Sequence, residues 1–372
     1  MHIPESQRTF LDKVKEVLQK YDALLKDINH KIWSNPELAY EEYQAHDRIC
    51  ELFDGLQESG YRVHRKAFGL DTALEVDYVY GTGGRVIAFN AEYDALPGIG
   101  HACGHNLIAT SSIAAFIATC ESMKAKAESL SVTGFTVRLL GTPAEESGGG
   151  KVKLIKAGAY KDVDACLMVH PIPMIPGKPD IHCMATSVEG GFLANDKVKV
   201  TFTGKPAHAA AAPWEGINAL DAVVSAYVNI SMLRQQILPS QKVHGVIVNG
   251  AIDQMGPSYA DLKTNLPICE SYVSAMRAMG HHTLLDNSEQ KGGLSGGSTD
   301  MGNVSYEVPG FHGMFCIPAE GVNHTPQFTN GAGSPEGFER SIACAAGMAV
   351  VACQILVDDK FAEEVQRNFK SC

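Results

Sequence analysis

At 372 residues the chain is too long for one ordinary core and long enough to bury a large one without disulfides, so a large domain with a smaller one is expected. A formal net charge of −11, with no basic run, excludes nucleic acid and anionic membrane as natural partners. Ten cysteines scattered through apolar stretches predict reduced, buried thiols. With no apolar h-region after Met1 and no run approaching 18 apolar residues, a cytoplasmic protein without signal peptide or membrane span is expected.

Apolar residues at helical spacing (Phe10, Val14, Val17, Leu18, Leu24, Leu25, Ile28) predict one amphipathic helix over 9–30. Ser34 to Glu37 reads as a turn and cap before a second helix at 41–56. Apolar or β-branched runs at 74–80, 86–89, 134–140 and 165–169 read as strands, with helices at 107–127 and 151–159 between them. Strands alternating with helices imply an α/β fold, a mostly parallel sheet flanked by helices. The pattern changes near Val188. Lys197 to Thr203 and Val243 to Asn249 alternate like half-exposed strands around a helix at 217–233, which suggests a small inserted α+β domain. Glycines at 292–293, 296–297, 331 and 333 mark loops, and an Ala-rich stretch at 334–357 reads as a buried helix. The expected division is a catalytic domain of residues 1–189 and 262–372 around an insertion at 190–261.

Four constellations carry chemistry. Asn90 to Asn106 follows an apolar strand and precedes a helix, which in an α/β sheet is a carboxyl edge. Within it, Cys103 and His105 flank one glycine, and a thiolate with an imidazole suits zinc or its neighbours. An incidental loop cluster, or Cys103 as a nucleophile, is the competing reading. Glu145 and Glu146 lie just past another strand, where one carboxylate can bind a metal while its neighbour takes a proton from water. Alone, they read equally as exposed acids capping the next helix through Ser147. His170 ends a third strand and His324 lies downstream, and each taken singly reads as a structural histidine. Together they converge on one sheet edge, and such a cluster without a metal would leave several ionisable groups desolvated and unpaired.

The strings GIGHACGHN, AEES, VHP, GKPAHAAAAPWEGINALDAV and GSTDMGNVS resemble the cocatalytic-metal aminoacylase/carboxypeptidase superfamily. Within it the chain is most similar to the amidohydrolase branch of auxin-conjugate hydrolases, aminobenzoyl-glutamate hydrolases and the β-alanyl-lysine dipeptidase type. The last fits best, because Asn106 stands where most of the branch has aspartate. The resemblance covers nearly the whole chain. It implies two divalent ions (zinc first, manganese or cobalt as alternatives), bridged by Cys103 and completed by His105, Glu146, His170 and His324. It further implies Glu145 as general base, Asp94 as an acid behind the ligands, and His208 as an oxyanion donor on a lid that also forms a homodimer. Asp300 is expected either to line the substrate pocket or, equally, to cap a helix or turn. The implied reaction is hydrolysis of a dipeptide or N-acyl amino acid, a small-molecule substrate. One departure stands out. The family's lid repeats its strand–helix–strand, whereas here residues 248–257 run almost directly back into the catalytic domain, so about half the lid is absent. A metal-binding protein with lost or altered catalysis, or a biosynthetic relative forming an amide bond, are the alternatives.

Overall fold

The computed structural model describes residues 4–56, 59–186, 192–238, 241–247, 257–286 and 297–371. The chain forms two compact units, residues 1–195 with 259–372, and residues 196–258.

The first unit is built on an eight-stranded sheet. Its strands are β1 (Tyr61–Arg65), β2 (Leu74–Gly81), β3 (Val86–Ala91), β4 (Gly134–Gly141), β5 (Ala165–Pro173), β6 (Cys183–Thr186), β7 (Thr283–Asp286) and β8 (Gly310–Ile317), in the order β1-β2-β4-β3-β5-β8-β6-β7. The central four, β4-β3-β5-β8, are parallel; β1 and β2 add antiparallel on one flank, and on the other β6 joins β8 antiparallel and pairs parallel with β7. A single register row runs across them, Leu139–Phe89–Leu167–Phe311, and all four side chains are buried. Strands covered on both faces carry such continuous apolar runs. Because the four point the same way, their carboxyl ends share one edge, which collects whatever polar residues follow each run.

Helices cover the sheet. The periodic stretch read as one helix is two, α1 (Glu5–Lys20) and α2 (Asp22–Ser34), broken at Tyr21 (φ −97°, ψ 5°). The break lets the apolar stripes of both, Phe10/Val14/Val17 and Leu25/Ile28/Ile32, join one core. After α3 (Tyr43–Asp54), α4 (His105–Lys126) is buried at every residue from His105 to Cys120, so it has no polar face to show. It packs against α10 (Pro335–Val357), whose start is set by the Ser334 hydroxyl accepting the Gly337 N–H and by proline at the first helical position. By length and composition α10 could cross a membrane, contrary to the expectation that no run would qualify. Most of it is instead buried in this core. The remaining helices of the unit are α5 (Gly150–Ala157), α7 (Leu266–Ala278), α8 (Met301–Glu307), α9 (Pro326–Ala332) and α11 (Asp359–Ser371). Gly331, expected in a loop, lies in α9. Positions 292, 293 and 296 fall outside the described residues.

The second unit carries α6 (Ala219–Met232), capped by the Asn218 side chain accepting the Leu220 N–H. The two strands expected around it are not formed. Residues 197–203 and 243–247 have no ladder, and 248 and 249 lie outside the described residues. Among the described residues of this unit the backbone pairing is a single bridge, Lys205 to Ile217. Val198, Val200, Val243, Val246 and Ile247 are exposed. Alternation makes a strand only where a partner edge and a packed face await it, and the described residues of this unit supply neither.

Candidate active site

β3 stops at Ala91, and Glu92, Tyr93 and Asp94 begin the loop that leads to α4. Gly104, at φ 83°, caps α4, and a Cβ there would lie 2.5 Å from Pro171 Cγ. That left-handed turn, open to glycine, brings Cys103 and His105 to one side. His105 Nδ1 donates to Asp94 Oδ1 at 3.0 Å, which leaves Nε2 as the nitrogen that can meet a cation once it gives up its proton. Burial pulls the His105 imidazole down, but the charge and hydrogen bond of Asp94 outweigh it and hold it well above its ordinary value. Burial likewise pushes Asp94 up, and His105 and the Glu146 N–H (3.1 Å) bring it below the usual carboxylate range.

Cys103 Sγ lies 3.4 Å from His170 Nε2, while His170 Nδ1 donates to the Pro171 carbonyl at 2.8 Å. Burial lowers His170 to about 4, so the imidazole is neutral near pH 7, the form that ligates metals. Burial, reinforced by Glu146, pushes the Cys103 thiol up, so a thiolate there calls for a cation beside it. His170 sits inside β5, which runs four residues beyond its apolar stretch of 165–169.

Glu145 and Glu146 follow β4 through Ala144, held at φ 59° while its N–H donates to Glu42 Oε1 at 2.8 Å. Tyr259 donates to the Glu145 carbonyl and accepts the Gly149 N–H (3.2 Å), and Tyr40 donates to the Gly148 carbonyl at 2.6 Å. So braced, both acids turn inward. The helix-capping alternative fails, because α5 is capped by Gly149 with no side-chain hydrogen bond. Their environments drive the two apart. Burial and the facing Glu92, Glu146 and Asp300 push Glu145 well up. Glu146, which burial also favours raising, is brought down by its bond to His324 and by His105. Two neighbouring carboxylates pushed in opposite directions mark a division of acid–base labour. His324, at φ 66°, donates its N–H to the Ala102 carbonyl (2.8 Å) and holds Nε2 3.2 Å from Glu146 Oε1.

Three donor sets result, Cys103/His105/His170, Cys103/Glu146/His324 and His105/Glu145/Glu146, each with ligand atoms within 4.8 Å of one another. Two donors on one tetrahedral zinc-like ion stand about 3.3–3.5 Å apart, from metal–N and metal–O bonds of roughly 2.0–2.2 Å. The His324–Glu146 pair, at 3.2 Å, is about 0.1 Å inside that spacing, and the Cys103–His170 pair, at 3.4 Å, is slightly inside the roughly 3.5–3.6 Å that a longer metal–S bond of about 2.3 Å gives. His105 Nε2 is buried with no hydrogen-bond partner. The residues present therefore fit divalent cations.

Seven expected residues thus meet at one edge: Cys103, His105, Glu146, His170, His324, Glu145 and Asp94. His208 belongs to the second unit. It is exposed there, its Nδ1 accepting the N–H groups of Ala210 and Ala211 at 3.3 and 3.1 Å. Asp300, expected against the substrate, is corrected. It is wholly buried, with Oδ2 on the Lys151 N–H (2.9 Å) and Oδ1 on Lys151 Nζ (2.6 Å), so both oxygens are taken. His101 turns away to the Ile32 carbonyl. Asn106 donates to Asn29 Oδ1 and the Ala332 carbonyl, both at 2.9 Å, a double donation that an ionised aspartate could not make. Glu92, Lys151, Glu42, Tyr40 and Tyr259 were not anticipated.

A sheet edge gathering a thiol, imidazoles and two differently tuned carboxylates defines a metal-dependent hydrolase. Residues 88–329 match the sequence model of Peptidase family M20/M25/M40. The chain is 34% identical over 418 aligned positions to the Xaa-Arg dipeptidase of Mus musculus, covering 98% of this chain and 92% of that protein. It is 32% identical to one of the subunits of p-aminobenzoyl-glutamate hydrolase from Escherichia coli, over 66% of this chain and 50% of that one. Among solved structures, a putative aminohydrolase from Staphylococcus aureus superposes with a TM-score of 0.66 at 17% identity, covering 93% of this chain and 99% of that one. The chain belongs to peptidase family M20/M25/M40 and is a metallo-amidohydrolase.

Proposed function

We propose that this protein hydrolyses the peptide bond of a small dipeptide, with a basic C-terminal residue as the favoured class, using two divalent cations. The observation that carries the reading is the convergence of Cys103, His105, Glu146, His170 and His324 on one edge with Glu145 beside them. The two-cation count is supported by the overlap of the donor sets at Cys103 and His105, and by the likeness in fold (TM-score 0.57, 18% identity) to a Bacillus subtilis dinuclear metal-binding peptidase. The basic preference rests on the match to the Xaa-Arg dipeptidases and on the net charge of −11, which favours cationic substrates.

Cys103, His105, Glu146, His170 and His324 would hold the cations. The bound cations would supply the positive charge that acidifies water and polarises the amide carbonyl. Glu145, raised in proton affinity, takes the proton of the attacking water and returns it to the departing amine. Asp94 holds His105 in the ligating tautomer. His208, a residue of the second unit, is the proposed oxyanion donor. Zinc suits the sulfur-containing donor set best. Nine described cysteines are buried and form no disulfide, which supports a reducing, cytoplasmic setting.

One observation favours a second reading, a metal-binding protein of altered catalysis. The mouse alignment spans 418 positions against 372 residues here, so at least 46 of them (418 less 372) have no counterpart in this chain, and the second unit forms no strands among its described residues. The test is a screen of dipeptides and N-acyl amino acids with zinc, manganese or cobalt added, products read by mass. Release of free basic amino acid supports the first reading. Metal uptake without turnover of any substrate supports the second.

A further inference from the structure

Glu92 lies immediately past β3, wholly buried, between the metal-binding edge and a buried lysine. Its Oε1 accepts from Lys151 Nζ at 2.5 Å, and the same ammonium donates to Asp300 Oδ1 at 2.6 Å. All three side chains are fully excluded from solvent. The clamp takes up one oxygen of Glu92 and leaves the other. Among the described residues Oε2 has no hydrogen-bond partner, and it stands 3.5 Å from His105 Nε2, which also has none. Without a cation between or beside them the two atoms form a buried ion pair 3.5 Å long that no hydrogen bond completes, a costly arrangement. Because Nδ1 of His105 is committed to Asp94, Nε2 is the nitrogen that meets a cation. The 3.5 Å separation is that of two donors on one tetrahedral ion, about 3.3–3.5 Å.

Resting on the metal-site reading above, we propose that Glu92 belongs to the metal-binding shell. Its Oε2 shares with His105 Nε2 the cation that His105 takes, and Lys151 is the positioning residue that holds it there. Lys151 draws Oε1 back, which fixes the carboxylate as a single-oxygen donor and stops it from chelating through both oxygens. It also neutralises one of the two carboxylates, Glu92 and Asp300, that flank it. Charge is thereby apportioned: enough negative donors face the edge to hold dications, while the acid beneath them is balanced internally.

The test is titration of the metal-freed full-length protein with cobalt(II), read by its d–d absorption and by competition with a chromophoric chelator. Wild type should take two cobalt ions. Glu92→Gln should weaken one of them by roughly 10–100-fold, the effect typical of disturbing a metal site's supporting groups, and alter the d–d bands. Lys151→Met, which keeps the carboxylate but frees its second oxygen, should also change the bands. A Glu92 that merely pairs with Lys151 would lower the melting temperature with the cobalt spectrum unmoved, and that result overturns the proposal. If Glu92→Gln does not fold, Glu92→Asp serves instead. Its shorter arm withdraws the oxygen, so an unchanged spectrum again overturns the idea. Failure of wild type to bind cobalt at all would remove the metal-site reading itself, and this inference with it.

Discussion

Gly104→Ala inserts one methyl group between two metal donors, and its effect can be worked from the geometry. At φ 83° an L-residue in the left-handed region costs about 1–2 kcal/mol. The new Cβ would stand 2.5 Å from Pro171 Cγ and 3.3 Å from Phe328 Cε1, and overpacking of this kind adds about 1–3 kcal/mol. The expected loss is therefore about 2–5 kcal/mol. Carbon atoms rest about 3.5–4.0 Å apart, so Pro171 must retreat by about 1 Å. Pro171 follows His170, whose Nε2 is 3.4 Å from Cys103 Sγ, so relief of the clash widens that donor pair and weakens metal binding. Gly98→Ala is the control. It lies in the same loop at φ 75° with nothing within 4 Å of its Cβ, so it should show the conformational cost alone, about 1–2 kcal/mol, and normal metal uptake. Urea unfolding with linear extrapolation measures the first quantity, and metal titration the second. If Gly104→Ala is no less stable than Gly98→Ala and binds metal normally, the argument that glycine is needed for close approach at this turn is wrong.

Two further outcomes are expected. Burial, then Asp94, push Glu42 up to about 7 from 4.5, against the Thr72 hydrogen bond. For an acid raised in the fold, the stabilisation is complete below pH 4.5 and is lost as pH rises through about 7, a change on the order of 3 kcal/mol. Urea unfolding of metal-free wild type against Glu42→Gln between those values should show the difference falling with pH, and a flat difference contradicts it. In the second unit, residues 197–203 and 241–247 lack a ladder, so their amides should exchange with solvent far faster than those of β3. Equal protection would mean that these segments pair in solution.

The site was legible where an apolar strand stops abruptly at a polar residue. Phe89 to Glu92, Leu140 to Glu145 and Val169 to His170 are such places, and parallel pairing brings them to one edge. Lys151 was not legible, because a lysine in a helical stretch reads as surface. Its burial depends on Glu92 and Asp300, 59 and 149 residues away in sequence. Asp300 was misplaced for the same reason. β8 escaped notice because Gly310, His312 and Gly313 interrupt its apolar run, although every residue in it is buried. β6 and β7 are four residues each, too short to show a period. In the opposite direction, Val198/Val200 and Val243 show a strand's alternation, but the pattern records which face could be buried and says nothing of whether a partner exists.

The central claim is that two cations and Glu145 together perform the hydrolysis. Elemental analysis of purified wild type and Glu145→Gln, paired with turnover of an Xaa-Arg dipeptide, tests it most directly. The account predicts about two divalent ions per chain in both proteins, as a cocatalytic pair requires, with turnover lower in the variant by on the order of 10²–10⁴. Wild type that takes up no zinc, manganese or cobalt, or a Glu145→Gln variant of undiminished rate, would contradict it.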